Sequence, residues 1–516
     1  MKLGKVLKNI SGVRKVDGKV SVDINGIASD SKAVKDGYLF IAVKGSRYDG
    51  LEFIEEAIDK GAVAILSDAV NNPGFFHRKG PTFIYVDDAR RALSEVAREF
   101  YGDISSKMRL IGVTGTNGKT TTTYLLEALL GERLEKTGVI GTINYRFGKR
   151  LIPAANTTPG ALDLYFLLSG MRKSSVKTCI LEVSSHSLEQ GRVDTLQFDI
   201  AVFTNLTSEH LDYHGDMENY FLSKLRLFSK IKEGGFAIVN RDDPFSDRII
   251  DRVSQDKRAG LITYGIGNKA DVMAKDLNFS AKGLTFNLCP SLAVRGLTSN
   301  RRLSLEQEQK VSSSLIGRHN VYNILAASAC GIAMGMGLDA IRSAVSKVVS
   351  LPGRLEKIDC GQDFLIFVDY AHTENGLENA LKSLREIGPK RLFSVFGCGG
   401  DRDRTKRPVM GRVSTDLSDK VFITSDNPRR EDPIGIINEI TSGISKGKNN
   451  YVVEQDRFKA IEEAIKEAQK GDIVLVAGKG HETYQIFKNV TLPFDDREVV
   501  RKILKRGNLC LQSKIS

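Results

Sequence analysis

The sequence predicts an α/β protein of several domains built on open, mostly parallel sheets, and three observations carry that expectation. The chain has 516 residues, well beyond the about 100 to 200 residues of one usual domain, so two to four domains are expected. Short apolar runs alternate with helical patterns along most of it, which suits strands covered by helices better than hairpins closing a barrel. Finally, between the apolar run Met108 to Ile111 and the helical stretch Thr121 to Leu130 stands Gly112-Val113-Thr114-Gly115-Thr116-Asn117-Gly118-Lys119-Thr120, a glycine-rich passage from strand to helix.

In chain order, the first section offers strands at Gly37 to Val43, Val63 to Leu66 and Thr82 to Val86, with helical patterns at Leu51 to Lys60 and Ala89 to Tyr101. It ends near Ser106, which gives a first domain over 1–106. The second section, 107–350, has strand-like runs at Lys177 to Val183, Ile200 to Leu206 and Gly235 to Asn240, and a helix at Tyr220 to Phe228. Residues 260 to 312 are more polar and less helical, as an antiparallel elaboration would be. A helical pair, Asn320 to Met334 and Leu338 to Val348, leads to a hinge at Leu351-Pro352-Gly353-Arg354. The third section, 351–516, has strands at Phe364 to Asp369, Arg391 to Phe396, Lys420 to Thr424 and Asp472 to Ala477 with a helix at Asp456 to Ala468, so a second open α/β sheet is expected.

Lysine plus arginine outnumber aspartate plus glutamate by 75 to 63, a net charge of +12. The excess is spread along the chain, which favours small polyanionic substrates and a basic surface over a nucleic-acid partner. Six cysteines, at 179, 289, 330, 360, 398 and 510, show no close pairing. That excludes a disulfide scaffold or a thiolate zinc site and points to a reducing cytoplasm. An apolar run of about 20 residues and a signal-peptide core are both missing, so a soluble protein without integral membrane association is expected.

The nonapeptide is a phosphate loop in its chemistry. Glycines let backbone N–H groups and a positive helix end converge on one anion, Lys119 adds a cation, and Thr120 adds a hydroxyl suited to magnesium. Val113 stands where the usual pattern has its first glycine, and Gly112 and Gly115 supply the tight turn instead. Glu182 ends a strand beside hydroxyls in Glu182-Val183-Ser184-Ser185-His186, placed either to bind magnesium or to cap a helix. His186 reads as a structural hydrogen-bonding residue. His210 and His214 lie four apart in a turn-rich segment with no third soft ligand, which makes a zinc pair a poor reading. His210 is then a companion to magnesium or a donor into a buried loop. Lys224 follows Tyr220 by one turn, and the sequence does not separate a site role from a snorkelling one. In the third section, Asp369-Tyr370-Ala371-His372, Gly397 to Arg404 and Asp426-Asn427-Pro428-Arg429 each end a strand, the favoured ligand position in open sheets. Arg429 is suited to a bidentate carboxylate or to a structural salt bridge.

Taken in order, Asp30-Ser31-Lys32 with Gly37-Tyr38-Leu39-Phe40, the Thr114 to Thr120 loop, Glu182 to His186, Asp369 to His372 and Gly478-Lys479-Gly480-His481-Glu482 resemble the Mur ligase family across nearly the whole chain. The resemblance implies three domains: one gripping a UDP end, a central phosphate-loop domain for ATP on a parallel sheet, and a Rossmann-like C-terminal domain that closes with an incoming amino acid. It implies ATP-dependent amide formation through an acyl phosphate, joining meso-diaminopimelate to UDP-N-acetylmuramoyl-L-Ala-D-Glu in cytoplasmic peptidoglycan precursor synthesis. The alternatives are L-lysine as the amino acid, a sister ligase such as folylpolyglutamate synthase, or a nucleotide-driven switch.

The residue roles it implies are as follows. Ser29 and Ser31 meet the uridine nucleotide, while Asn156, Thr157, Thr158, Ser184, Gln190 and Arg192 hold the rest of the UDP substrate. Gly115, Thr116, Asn117, Gly118, Lys119, Thr120 and Thr121, with Asn320, Asn323, Arg354 and Asp369, hold ATP. Thr120, Glu182, His210 and a carbamylated Lys224 attend magnesium, with potassium a candidate second cation, and Lys119, Glu182, His210 and Lys224 are the catalytic set. Arg402, Asp426, Asn427, Arg429, Gly478 and Glu482 orient the amino acid. Three positions depart from the pattern: Lys32 replaces an arginine, Glu209 an aspartate, and Glu374-Asn375 a Pro-Asp pair. A monomer is expected.

Overall fold

The computed structural model describes residues 1–45, 48–69, 80–291 and 308–506. Cys510 and part of the 260 to 312 elaboration lie outside them. Three large sheets organise the described chain.

The N-terminal sheet runs Val13–Asp17, Thr82–Val86, Ala62–Ser67, Tyr38–Ile41, Gly26–Ala28, parallel except for the first strand. All five residues of Thr82–Val86 are buried, which explains its unbroken apolar run. The helix Ala89–Tyr101 buries Ala89, Ala92, Val96 and Ala97 on one side and is started by Asp88, whose carboxylate accepts from the N–H groups of Arg90 and Arg91. The expected helix at Leu51 to Lys60 is instead a 3₁₀ turn, Gly50–Phe53, followed by Ile54–Asp59.

The central sheet has eleven strands. Arg109–Thr114, which carries the glycine-rich loop, lies between Thr178–Glu182 and Phe198–Phe203, parallel to both. From Arg109–Thr114 the chain passes through the helix Lys119–Glu132 to Thr137–Ile140, on the far side of Thr178–Glu182, and later steps to Phe198–Phe203 on the opposite side. The loop therefore opens at the point where strand order reverses, with Glu182 and the segment after Phe203 converging on the same crevice.

The centre of this sheet is parallel as expected, and its flanks are antiparallel: the one within 260 to 312 was expected, the hairpin beyond Thr137–Ile140 was not. Asn144–Phe147 and Arg150–Pro153 extend one edge, and Gly283–Pro290 with Gln309–Ser313 the other. Only Tyr145 and Phe147 of the first hairpin strand are buried, and Arg150–Pro153 is almost wholly exposed. Half-buried edge strands need no covering helix, so short turns connect them. The polar character of the described strands Val272–Ser280 and Gln309–Ser313 has the same origin, although Gly260–Gly265, at the start of this stretch, pairs parallel.

The helix after the loop is clamped rather than surface-bound. Thr120 to Thr123, Leu125, Leu126, Leu129 and Leu130 are buried, and the leucines share a core with Ile324 and Leu325 of the helix Arg318–Ala333. A helix covered on several sides loses its amphipathic stripe. Each buried leucine contributes roughly 1.5 to 3 kcal/mol, so the loop stands on a rigid base.

The C-terminal sheet runs Glu356–Ile358, Leu365–Asp369, Ile473–Ala477, Leu392–Phe396, Lys420–Ile423, Tyr451–Val453, parallel except for its first strand. It is the open, Rossmann-like sheet expected. At the connection from the central domain, Gly353 has a φ of +64°, and a Cβ there would lie 2.2 Å from the amide nitrogen of His481. Only glycine lets the linker pass so close. Among the described residues no helix is long and apolar enough to cross a membrane.

Candidate active site

The glycine-rich loop has the geometry its sequence implies. Gly115 and Gly118 have φ values of +147° and +86°; a Cβ at the first would sit 1.9 Å from the Thr204 hydroxyl and at the second 2.3 Å from Asn323 Oδ1. Asn205 braces the turn, its carbonyl accepting from Thr116 N at 2.8 Å and its side chain from Asn117 N at 2.9 Å. Thr204 Oγ1 donates to Asn117 O at 2.6 Å. Asn323 donates to Asn320 Oδ1 at 3.0 Å, and Asn320 to Ile316 O at 2.7 Å, so both asparagines are held under the loop. Lys119 Nζ curls back onto the carbonyls of Gly115 and Thr116, each at 2.8 Å.

Glu182 is 1 % exposed at its strand end. Its carboxylate accepts from Thr120 Oγ1 at 3.1 Å, from Thr142 Oγ1 at 2.9 Å and from Thr142 N at 3.1 Å. One carboxylate and a hydroxyl beside a phosphate cradle form a hard-oxygen donor set that fits magnesium, which takes few protein ligands and completes its shell with phosphate and water. Among the described residues no cluster of three or more histidines, cysteines or acids could hold a metal by itself. Glu182 thus faces the site rather than capping a helix.

Lys224, left open by the sequence, is only 2 % exposed. Its Nζ donates to Gly115 O at 3.0 Å and lies 4.4 Å over the Tyr220 ring. Two lysines therefore meet at one carbonyl. Burial holds the Lys224 amine well below its ordinary range, and the Lys119 ammonium adds to this against the opposing pull of Glu209. Lys119 is also lowered, by burial first, although Glu209 and Glu182 favour its charge.

His210 sits at φ +57° with its ring half exposed, 3.9 Å from the Glu209 carboxylate. Burial raises the cost of the Glu209 charge, yet His210, His372, Lys119 and Lys224 together outweigh it and hold that carboxyl below its usual range. His214 is buried and faces Ser185 Oγ at 2.9 Å and Glu189 at 3.0 Å, a structural role rather than half of a metal pair. His186 stacks 4.2 Å from Tyr213, and burial with the neighbouring His210 and His214 pushes its pKa down to about 4.

Behind Glu182, Thr158 Oγ1 donates to the Glu182 carbonyl at 2.7 Å and accepts from Ser184 N at 3.1 Å. Arg192 reaches Thr158 O at 2.7 Å and Gln190 Oε1 at 2.6 Å. Thr157 faces the Thr142 hydroxyl at 3.1 Å, and Asn156 O accepts from Tyr145 OH at 2.7 Å. These predicted residues form one patch on the central domain. Ser29 and Ser31 lie on the N-terminal domain instead; Ser29 is exposed and Ser31 donates to Glu56 at 2.6 Å.

A cleft of about 750 Å³ runs from the loop to the C-terminal sheet. Lys119, Thr120, Glu182, His210 and Asn323 line one wall, and Arg354, Asp369, Tyr370, His372 and Asn375 the other. Asn117 Nδ2 donates to Asn375 Oδ1 across it at 3.2 Å. The Arg354 guanidinium lies 4.9 Å over the Tyr370 ring. Asp369 accepts from Leu355 N at 2.6 Å and Ala371 N at 2.8 Å; burial raises its pKa and Arg354 offsets part of the rise. The unusual Glu374-Asn375 turn is kept in shape by Thr373, whose hydroxyl accepts from Gly376 N and starts the helix Glu374–Arg385.

The second predicted constellation gathers at the carboxyl ends of the C-terminal strands. Asn427 Nδ2 donates to Glu482 Oε2 at 2.9 Å, and Lys479 Nζ lies 3.3 Å from the same oxygen. Asp426 Oδ2 is buried without a hydrogen-bond partner and would stand 2.6 Å from a Cβ at Gly478. Arg429 donates to Gly400 O at 2.9 Å, and its charge meets main-chain oxygens rather than the carboxylate of a salt bridge. Arg402 is exposed, donating to Asp401 O. Burial raises the Glu482 pKa, with Asp426 adding and Lys479 opposing.

Sequence reasoning missed Thr142 and Lys479. Thr142 follows a glycine at the end of the strand Thr137–Ile140, and Lys479 stands between Gly478 and Gly480, both at positive φ. Strand-end glycines of this kind were the available signal.

Three family descriptions match the chain: the Mur ligase family catalytic domain over 23–101, the Mur ligase middle domain over 113–331 and the Mur ligase glutamate ligase domain over 353–480. The UDP-N-acetylmuramoyl-L-alanyl-D-glutamate--2,6-diaminopimelate ligase of Caldanaerobacter subterraneus subsp. tengcongensis is 43 % identical over 504 residues, covering 98 % of this chain and 99 % of that protein. Its counterpart from Geobacillus thermodenitrificans is 44 % identical over 492 residues, 94 % of this chain and 95 % of its own. A solved structure of a ligase of the same name is 34 % identical with a TM-score of 0.68, covering 98 % of this chain and 99 % of that one.

Proposed function

The chain belongs to the Mur ligase family, and from that premise we propose that it joins meso-diaminopimelate to UDP-N-acetylmuramoyl-L-Ala-D-Glu at the expense of ATP. The observation that supports this most is the pairing of two built sites. A phosphate loop with Thr120 and Glu182 forms one wall of a cleft closed by Arg354 and Asp369, and Arg429, Asp426 and Glu482 converge at the neighbouring strand ends of the same C-terminal sheet. A nucleotide-driven switch has no need of the second.

In this reading the loop amides and Lys119 hold the ATP phosphates, Asn320, Asn323, Arg354 and Asp369 hold the rest of the nucleotide, and Asn156, Thr157, Thr158, Ser184, Gln190 and Arg192 orient the acceptor. Ser29 and Ser31 hold its uridine end. Thr120 and Glu182, with His210 and a carbamylated Lys224, hold magnesium, which neutralises phosphate charge when bound. The D-glutamyl carboxylate attacks the γ-phosphorus and ADP leaves; the amine then attacks the acyl phosphate and phosphate leaves. In this reading Lys119 leaves the Gly115 and Thr116 carbonyls to follow the charge that grows on the transferred group, and the cleft wall from Arg354 to His372 excludes water from the activated carbonyl. Potassium is a candidate second cation, and domain limits near 106 and 350 follow from the same reading.

The test is mass identification of the product from purified protein, ATP, magnesium, the UDP substrate and a mixture of candidate amino acids. A new amide carrying meso-diaminopimelate supports the proposal. Nucleotide binding without any amide product refutes it.

A further inference from the structure

The loop Asp426 to Arg429 has main-chain bonds of its own, Glu431 N donating to Pro428 O at 3.1 Å and Gly400 N to Asn427 O at 2.9 Å, but a second support lies outside it. The loop is laid against the two-stranded hairpin Tyr484–Phe487 and Val490–Pro493. Arg429 N donates to Ile486 O at 3.0 Å, Lys488 N donates back to Arg429 O, and Arg429 pairs with Phe487 in a parallel bridge. Two side-chain bonds complete the seam: Gln485 Nε2 donates to Asp426 O at 2.7 Å, and Ile486 N donates to Asn427 Oδ1 at 2.9 Å.

The hairpin's other side is open, with Val490 and Leu492 about half exposed. A two-stranded ribbon is marginal alone, so hairpin and loop order each other. The need is plain at Arg429, which has φ +53°, a left-handed conformation that a non-glycine residue keeps only when its surroundings impose it. That conformation aims its guanidinium at the Gly399-Gly400 turn, 2.9 Å from where a Gly399 Cβ would stand. The stretch that feeds the hairpin also carries Gly478 and Glu482, so one segment supplies two contacts of the site and templates three more.

We propose that Gln485 is a positioning residue for the incoming amino acid. It is 5 % exposed. By fixing the Asp426 carbonyl it sets the register of Asp426, Asn427 and Arg429 against Glu482, and through that register the selection of a substrate with a second carboxylate. The inference rests on the proposed ligase function for the identity of that substrate.

The experiment uses the full-length enzyme and its Gln485→Leu and Gln485→Glu variants, each removing the amide donor, the second at unchanged side-chain length. Steady-state kinetics give KM for meso-diaminopimelate and ATP, and the ratio of kcat/KM for meso-diaminopimelate over L-lysine. Loss of one buried hydrogen bond, with its acceptor left unpaired, is expected to raise KM for meso-diaminopimelate about tenfold and lower the ratio similarly, with KM for ATP within about twofold of the parent. If Gln485→Leu does not fold, Gln485→Glu decides the matter. An unchanged KM for meso-diaminopimelate overturns the proposal, as does an equal rise in both KM values with a lowered Tm, the mark of a merely structural glutamine. Should the parent enzyme prefer another amino acid, the functional reading has failed; the role of Gln485 then stands only if the variants raise KM for that amino acid and spare ATP.

Discussion

Replacing Arg429 by alanine tests the selectivity mechanism directly. In the structure one guanidinium nitrogen is committed to the carbonyls of Gly400 and Asn427, which leaves the remaining donors free for a ligand carboxylate. A bidentate pair made of two charge-assisted bonds, each worth about 1.5 to 3 kcal/mol, is lost in the variant. Taking roughly 3 to 4 kcal/mol in total, kcat/KM for meso-diaminopimelate falls on the order of 100- to 1000-fold. L-Lysine has no distal carboxylate to lose, so its already poor use changes by less than about tenfold. Binding of ATP, more than one strand end away, stays as it was. The assay is phosphate release with product mass confirmation, the two amino acids offered separately and then in competition, beside nucleotide titration of the variant. Equal losses for both amino acids, or a parent enzyme that uses L-lysine as efficiently as meso-diaminopimelate, refute the reasoning while leaving amide ligation itself in place.

Three further outcomes follow from the same geometry. Gly115→Ala places a methyl 1.9 Å from the Thr204 hydroxyl at a φ that L-residues rarely adopt; isothermal titration is expected to show ATP affinity weakened at least about tenfold, and near-parental affinity would mean that this turn does not shape the phosphate cradle. Thr142→Val removes a hydroxyl bond to Glu182 but keeps the main-chain one; the magnesium concentration for half-maximal activity should rise a few-fold, about what loss of one supporting partner costs, and an unmoved magnesium dependence would separate Glu182 from the metal. Lys224 has its amine lowered by burial and then by Lys119, so more of it is neutral and nucleophilic at a given pH than of an exposed lysine, and that fraction shrinks as pH falls. Native mass spectrometry should therefore find one added carbon dioxide that disappears on acidification, and Lys224→Ala should lose most activity and regain part of it with a short-chain carboxylic acid; an unmodified Lys224 in a fully active enzyme excludes the assignment.

What could be read from the sequence was whatever local chemistry alone decides. The strands Thr82–Val86 and Ile473–Ala477 are buried at every position, and such runs announce themselves in composition. The phosphate loop was legible for a similar reason: a strand, glycines and a lysine at the head of a helix carry their chemistry within nine residues, even though Thr204 and Asn205 brace the finished turn. Lys224 was not, because its meaning comes from Gly115, 109 residues away, and only the closed fold shows that the two lysines share that carbonyl. The antiparallel hairpin Asn144–Phe147 and Arg150–Pro153 was missed because its half-buried alternation is weak beside the strong apolar runs at the centre of the sheet.

The same distinction bears on where specificity resides. Asp426, Asn427 and Arg429 could be named as a group because they are adjacent, yet adjacency does not orient them. Their orientation depends on a hairpin some sixty residues later, Gln485 lying 59 residues from Asp426, and on the buried Arg457–Asp496 pair, through which Arg457 also donates to Ser425 O and Ala477 O at the roots of both strands. Breaking one member of such a buried pair costs about 3 to 5 kcal/mol because the other charge is left uncompensated, so the base of this site is stiff while its rim, at Arg402 and the open hairpin edge, is exposed. A stiff base with an exposed rim is suited to a ligand carrying two charged heads. In the proposed reading the inner head would meet groups that cannot move away, and the outer one would complete contacts that solvent otherwise supplies. Under the proposed function, selectivity would follow from the cost of leaving Arg429 and the buried, unpartnered Asp426 oxygen without a matching group, rather than from extra attraction for the correct substrate.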